Sequence, residues 1–292
     1  IITKKNSKPY WFDFNIKYDA PLQVSESSNL GFSKGIVNYN FNMQFSQSDG
    51  YDLTPNGIGQ FNNTLDENSY RIFSHKLNLK PSDKHNYYIY FKDYTSKINR
   101  YTSYAGDIIL DSPLNRYSDK FLNLKYDFYI SNIRQFKISY ISEKYTKYYY
   151  LTDLSQQYIN GLFDRNEFNL QYDINVNNLK RLFGLEIFND SYSSFNVPGL
   201  ESIFSGEDIT KDIYSSSLYF YEERELKNYN ILSYGLRLLE QNEIIPSISY
   251  LIKDKGGYNY RLSYSSGYRK PAIKELYYSW TDHSPSIYGN SE

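Results

Sequence analysis

The sequence predicts an all-β chain whose long antiparallel strands form a transmembrane β-barrel wall. Three observations predict it. Apolar and polar residues alternate with a period of two, many alternating runs reach ten residues or more, and the connections between them are alternately short and long.

Composition narrows the classes first. The 292 residues include 35 tyrosines, 18 phenylalanines and two tryptophans, no cysteine, and a formal charge of -1. Without cysteine there is no disulfide framework, thiolate metal site or thiol nucleophile. A near-neutral chain has no basic field for nucleic acid. Lys, Asn, Asp or Ser interrupts every apolar run, so no stretch approaches the roughly 18 apolar residues of a membrane helix. Alanine occurs only at Ala20, Ala105 and Ala272, and no window sustains an i, i+3, i+4, i+7 pattern, which disfavours helix throughout.

In chain order, Phe12, Phe14, Ile16 and Tyr18 alternate with Asp13, Asn15 and Lys17. Val37, Tyr39, Phe41, Met43 and Phe45 alternate with Asn38, Asn40, Asn42, Gln44 and Ser46, which places every apolar group on one side of a strand. Leu122, Leu124, Tyr126, Phe128 and Ile130 repeat the code, as do Phe168, Leu170, Tyr172 and Ile174, and then Tyr258, Tyr260, Leu262 and Tyr264. Weaker runs lie near 22–32, 69–79, 86–97, 134–149, 179–190, 213–222, 229–239 and 243–253, making about thirteen strands.

Soluble strands have a mode of about 5–6 residues, whereas about 9–11 tilted residues cross a bilayer. Short links near 33–35, 80–85, 131–133 and 175–178 interleave with long ones expected near 49–68, 98–117, 150–162 and 191–212, the pattern of an outer-membrane barrel. A Lys or Arg facing lipid at mid-depth costs about 2–4 kcal/mol, so Asp13, Lys17, Lys125 and Asp127 are assigned to a wet lumen. Tyr145, Tyr148, Tyr149 and Tyr150 are expected to join an interfacial aromatic girdle. Two registers are strained on this reading: Arg71 and His75 share parity with Phe73 and Leu77, and Pro246 removes a ladder donor inside 243–253.

The segment Ser263-Tyr-Ser-Ser-Gly-Tyr-Arg-Lys-Pro-Ala-Ile-Lys-Glu-Leu-Tyr277 resembles the barrel motif of TonB-dependent outer-membrane receptors, a strand ending in Ser-x-Gly-(aromatic)-Arg-x-Pro followed by Glu-Leu-Tyr. Gly267, Tyr268, Arg269, Pro271, Glu275, Leu276 and Tyr277 carry the match. Ile1-Ile-Thr-Lys-Lys5 looks like the end of that family's plug domain, and Tyr288-Gly-Asn290 like the start of its Gly-Asn-x-x-Leu-x-Pro-Glu segment. The resemblance implies residues 1–5 as the end of a plug and 6–292 as part of a barrel that has roughly 22 strands when closed. An open edge of this length would leave unpaired backbone in lipid, so the chain reads as a fragment.

The resemblance also implies a Gram-negative outer membrane, a TonB–ExbB–ExbD energy-coupling complex acting through the plug, and uptake of a scarce, bulky ligand: cobalamin first, ferric siderophore or haem next. Similar loops in the family's cobalamin receptors carry calcium-binding acids. Asp52, Asp66 and Asp111 match those positions, and Asn68 replaces an acid. Calcium takes 6–8 oxygen ligands, which loops of adjacent hairpins are able to supply at a barrel mouth, although Asp and Asn also favour turns for their own sake. Tyr51, Tyr104, Tyr277, Tyr278 and Trp280 are candidates to stack on a bulky ligand, or simply to pack loops together. Arg269 either holds a strand end to the plug or an anionic ligand, or pairs with a lumenal carboxylate.

No catalytic motif is present. His75, His85 and His283 form no i, i+4 pair, there is no Gly-x-Ser-x-Gly elbow or phosphate-binding loop, and His283 beside Asp282 and Ser284 has the composition of any solvated loop. An enzyme is not expected. The alternatives are a passive porin, a non-transporting surface barrel such as an adhesin, and a soluble β-rich binding module.

Overall fold

A period of two in the side chains is a pleated strand, and the computed structural model converts nearly every such run into one. It describes residues 9–19, 23–50, 66–99, 101–104, 107–110, 114–195, 209–240, 243–253, 257–267, 279–280 and 287–288. The strands are β1 (Tyr10–Asp19), β2 (Gln23–Lys34), β3 (Val37–Ser48), β4 (Glu67–Ser82), β5 (His85–Asn99), β6 (Tyr101–Tyr104), β7 (Asp107–Leu110), β8 (Leu114–Ser131), β9 (Arg134–Leu151), β10 (Gln156–Val176), β11 (Leu179–Ser194), β12 (Ile209–Glu225), β13 (Ile231–Leu239), β14 (Ile244–Lys253), β15 (Asn259–Ser265), β16 (Ser279–Trp280) and β17 (Ile287–Tyr288).

Thirteen of these form one antiparallel sheet in the order β1-β2-β3-β4-β5-β8-β9-β10-β11-β12-β13-β14-β15, with β6-β7 and β16-β17 as separate ribbons. Sequential neighbours pair throughout, as in an up-and-down barrel wall. At one rim β2–β3, β4–β5, β8–β9 and β10–β11 are each joined by a two-residue turn. Gly35 (φ 57°) and Asn177 (φ 42°) sit in two of these turns, and both residue types enter the left-handed region at little cost. The opposite rim carries the longest connections, between β3 and β4, β5 and β8, and β11 and β12.

One expectation fails there. The link predicted near 150–162 is only the turn between Leu151 and Gln156, because the aromatic run continues the ladder, with Tyr149 opposite Tyr158 and Tyr148 opposite Ile159. A bulge then inserts Asn160 between Ile159 and Gly161, and its carbonyl accepts the amide of Phe195 at 2.9 Å. With this turn closed, β8 and β9 reach 18 residues and β10 reaches 21. Eighteen residues tilted by about 40° rise roughly 45 Å, well beyond an apolar band about 25 Å tall.

Register separates the two faces. Phe12, Leu30, Phe41, Phe91, Leu122, Phe168, Ile187, Leu218 and Leu236 share one parity; toward the two ends of the sheet their side chains are exposed, Phe12 by 66% and Leu218 by 56%, and in the middle they are half-buried against their neighbours. Asp13, Lys17, Lys125 and Asp127 all lie on the other face: Asp13 opposite Asn29, Lys17 opposite Ser25, Lys125 opposite Tyr88, and Asp127 accepting the Asn86 amide at 3.1 Å. Among the described residues the buried set is mostly polar, including Ser46, Asp119, Asp173, Asp190 and Glu222, while Leu114, Tyr149 and Leu151 are the buried apolar side chains. The sheet has no apolar core of its own; its apolar face is made for an external apolar phase.

Candidate functional site

The polar face is the inside of the curve. Tyr219 on β12 lies across β11 and donates to Asn169 on β10 at 3.1 Å, and Arg237 on β13 reaches Glu186 on β11 at 3.3 Å, so side chains meet strands two away. Gly184 makes the first reach possible, since a Cβ there would stand 2.0 Å from the Tyr219 ring. Gly31 does the same for Trp11, whose ring would meet an added Cβ at 2.2 Å. Convergent side chains and glycine clearances belong on a concave wall.

Charges on this wall are paired across strands. Lys92 bonds Asp119 at 2.7 Å, Lys137 bonds Asp173 at 2.6 Å, Lys180 bonds Glu223 at 3.0 Å, and Arg165 grips Asp190 with two bonds of 2.8 Å. The acids are the shielded partners: the side chains of Asp190 and Asp173 are 7% and 11% exposed, whereas Arg165 and Lys137 keep their heads in solvent. The wall is therefore polar, with Asp119, Asp173, Asp190 and Glu223 each occupied by a cation.

The apolar face carries three features that periodicity alone misses. His75 sits there as its parity requires, but its Nδ1 is hydrogen-bonded to the Tyr39 hydroxyl at 2.8 Å and its ring packs 4.9 Å from Phe41. Near the short-turn rim, Glu222 on β12 binds Arg181 on β11 at 2.5 Å and Arg224 at 2.9 Å. Charged residues of apolar parity look like register errors in sequence; here the one carboxylate is shared between two guanidinium groups. Pro246 is tolerated for a third reason. Its carbonyl accepts the Ser266 amide at 3.1 Å, so its missing N–H points toward β15, one residue past the end of that ladder. The expected girdle is half right: Tyr148 and Tyr150 face outward, while Tyr145 and Tyr149 share the polar face, where the Lys147 ammonium donates to the Tyr149 hydroxyl at 2.8 Å.

The predicted loop residues divide. Tyr51, Asp52, Asp111, Tyr277 and Tyr278 lie outside the described residues, as do residues 1–5, expected from the sequence to end a plug, and, of the barrel motif, Tyr268, Arg269, Pro271, Glu275 and Leu276. Asp66 and Asn68 are described at the start of β4, where the Asn68 side-chain amide donates to the Asp66 carbonyl at 2.9 Å. Tyr104 ends β6, opposite Asp107, and Trp280 pairs with Ile287 in the β16–β17 ribbon. Gly267 follows β15 with open space around it. Among the described residues no three His, Asp or Glu side chains stand together as a metal site.

Neither a family model nor a curated protein matches the sequence. Solved structures do. The chain superposes on the siderophore receptor PirA from Acinetobacter baumannii (TM-score 0.66, 12% identity, 94% of this chain and 45% of that one). It superposes equally on the ferric enterobactin receptor PfeA from Pseudomonas aeruginosa (0.64, 10%, 91% and 44%) and on the FrpB iron transporter from Neisseria meningitidis (0.62, 12%, 89% and 42%). The fold is that of a partial TonB-dependent receptor barrel, and the chain spans less than half the length of each of these structures.

Proposed function

We propose that this chain is barrel wall of a TonB-dependent outer-membrane receptor, which binds a scarce metal chelate at its outer loops and admits it when a TonB–ExbB–ExbD complex pulls on a plug. One observation carries the reading: a single antiparallel sheet with an open apolar face and an ion-paired concave face, in the barrel fold of siderophore and iron receptors. On this reading the short turns face the periplasm and the longer connections face outward, as barrels of this kind are built. The paired carboxylates of the concave wall keep the lumen wet, and cargo recognition falls to the loops.

For the cargo, a ferric siderophore is favoured by the receptors of like fold. Cobalamin is the second reading, and it rests on the outer-loop set Asp52, Asp66, Asn68 and Asp111, which would hold a calcium ion ordering those loops. The aromatics Tyr51, Tyr104, Tyr277, Tyr278 and Trp280 would supply stacking area to either ligand.

Uptake by cells expressing the complete receptor, with and without a functional TonB system, tests the transport reading: accumulation of labelled cargo that persists without TonB favours a passive porin instead. Calorimetry of the complete receptor separates the cargoes. Binding of ferric siderophore but not cobalamin, unchanged by calcium chelation, removes the second reading.

A further inference from the structure

A strand offers its main-chain N–H and C=O groups to alternate sides, so it has two edges to pair. β12 pairs them over unequal lengths. Its ladder with β11 runs to Ser194 opposite Ile209, whereas its ladder with β13 stops at Ser217 opposite Leu239. β13 ends there because the Leu239 amide donates to the Glu243 carbonyl at 2.9 Å and closes the hairpin into β14.

The alternation fixes which groups are left over. The Glu225 amide donates to the Asn178 carbonyl on the β11 side, and the Leu226 amide to the Asn230 carbonyl on the β13 side, each at 2.7 Å. Odd positions of β12 therefore point to β11 and even positions to β13. Beyond Ser217, the main-chain groups of Ser216, Asp212 and Thr210 point to the β13 side and meet no strand there among the described residues.

This edge stands in water. The row Leu218, Leu238, Ile244 is apolar across β12, β13 and β14, whereas Asp212 and Thr210 lie farther out beside Ser191 and Ser193; open backbone groups do not persist in lipid. Nothing blunts the edge either. Residues 209–216 contain no proline, their register with β11 has no bulge, and their one lysine, Lys211, lies on the wet concave parity. The Asp212 side chain is exposed and has no hydrogen-bond or ion-pair partner among the described residues.

Geometry selects the occupant. Donors and acceptors that recur every two residues match another extended backbone. A second copy in the same membrane does not fit, because both copies run β12 in one sense along the membrane normal, and a two-fold axis along that normal crosses strands tilted by about 40° at about 80°. The carboxylate of Asp212 favours a cation directly across from it.

We propose that the outer part of β12, residues 209–216, receives an added antiparallel strand from another protein at the cell surface, with a Lys or Arg of that strand opposite Asp212. The inference rests on the outer-membrane reading only for placing this edge outside the cell. The test uses the complete receptor purified in detergent and a fluorescent nine-residue peptide of alternating threonine and valine with a central lysine, read by anisotropy. Comparison probes are the same peptide N-methylated along the edge that bears the lysine amide, and one with glutamate in place of lysine. Expected is saturable binding, about tenfold weaker for the N-methylated peptide and for Asp212→Pro, which deletes an N–H on the open side and none of the β11 ladder. The glutamate peptide and Asp212→Asn are expected to bind about threefold more weakly, and Lys80→Gln at the short-turn rim to bind as wild type. Absence of saturable binding to wild type overturns the proposal, since the chain's own connections then cover the edge; so does equal binding by Asp212→Pro, or equal binding of the lysine and glutamate peptides. Where Asp212→Pro loses the heat-dependent gel shift of a folded barrel, Thr210→Pro near the strand end is read in its place and has to weaken binding with the gel shift intact. Binding in detergent tests the edge by itself, and labelling of intact cells tests its placement: binding in detergent without labelling of cells overturns the surface placement and the outward orientation of this rim.

Discussion

The two rims of the apolar face hold their charges in opposite ways. At the short-turn rim Glu222 is nearly inaccessible and is held by Arg181 and Arg224, so the acid's charge is met by partners on the chain. At the other rim Arg71 and Lys97 stand open over a cavity and Arg116 is braced by carbonyls and an amide oxygen. The difference teaches what each set is for. The triad is a structural device whose partners are all on the chain, whereas Arg71 and Lys97 have no carboxylate partner among the described residues.

Breaking the triad is the sharpest way to break that comparison. Glu222→Gln leaves two arginines facing each other with 38% and 49% of their side chains exposed, and loss of two charged hydrogen bonds of this kind costs about 1.5–3 kcal/mol. Expected is a large drop in the urea midpoint of the complete barrel in detergent. Replacing the triad together, Glu222→Leu with Arg181→Met and Arg224→Met, is expected to restore most of the loss, because apolar residues are native to that face; failure to restore would mean that the triad binds something beyond itself.

The concave wall gives the next effect. Gly184→Val pushes against the Tyr219 ring, and overpacking of this kind costs about 1–3 kcal/mol. In a Tyr219→Ala background the same substitution is expected to cost much less, and denaturation of the four variants in a cycle measures the difference. Asp190→Asn comes third. It removes the charge from a two-bond grip whose acid is shielded and whose arginine is 41% exposed, so about 1–2 kcal/mol is expected, and it falls further in high salt.

Much of this was legible in residue order because a strand has only two faces. The runs 12–18, 37–46, 122–130 and 168–174 all took the parity that their alternation required, and the turns at Gly35 and Asn177 fell where short links were expected. What escaped was what strands do to each other. Arg181 and Glu222 are 41 residues apart and become partners only when β11 and β12 pair, and nothing local in Arg71 names Lys97 or Arg116 as its neighbours. The 150–162 link failed for a related reason: Tyr148, Tyr149 and Tyr158 look like a loop flanked by aromatics until cross-strand pairing makes them a ladder. The candidate loop site was least legible, because loop residues carry no periodicity to fix which of them converge.

The smallest effect closes the comparison from the other side. Arg71→Gln and Lys97→Gln break no ion pair among the described residues, and exposed substitutions of this kind stay within about 0.5 kcal/mol of wild type. In lipid-free detergent both variants are therefore expected to unfold at the wild-type urea concentration. A rim whose cations were structural would behave the other way round, with both variants unfolding at lower urea than wild type.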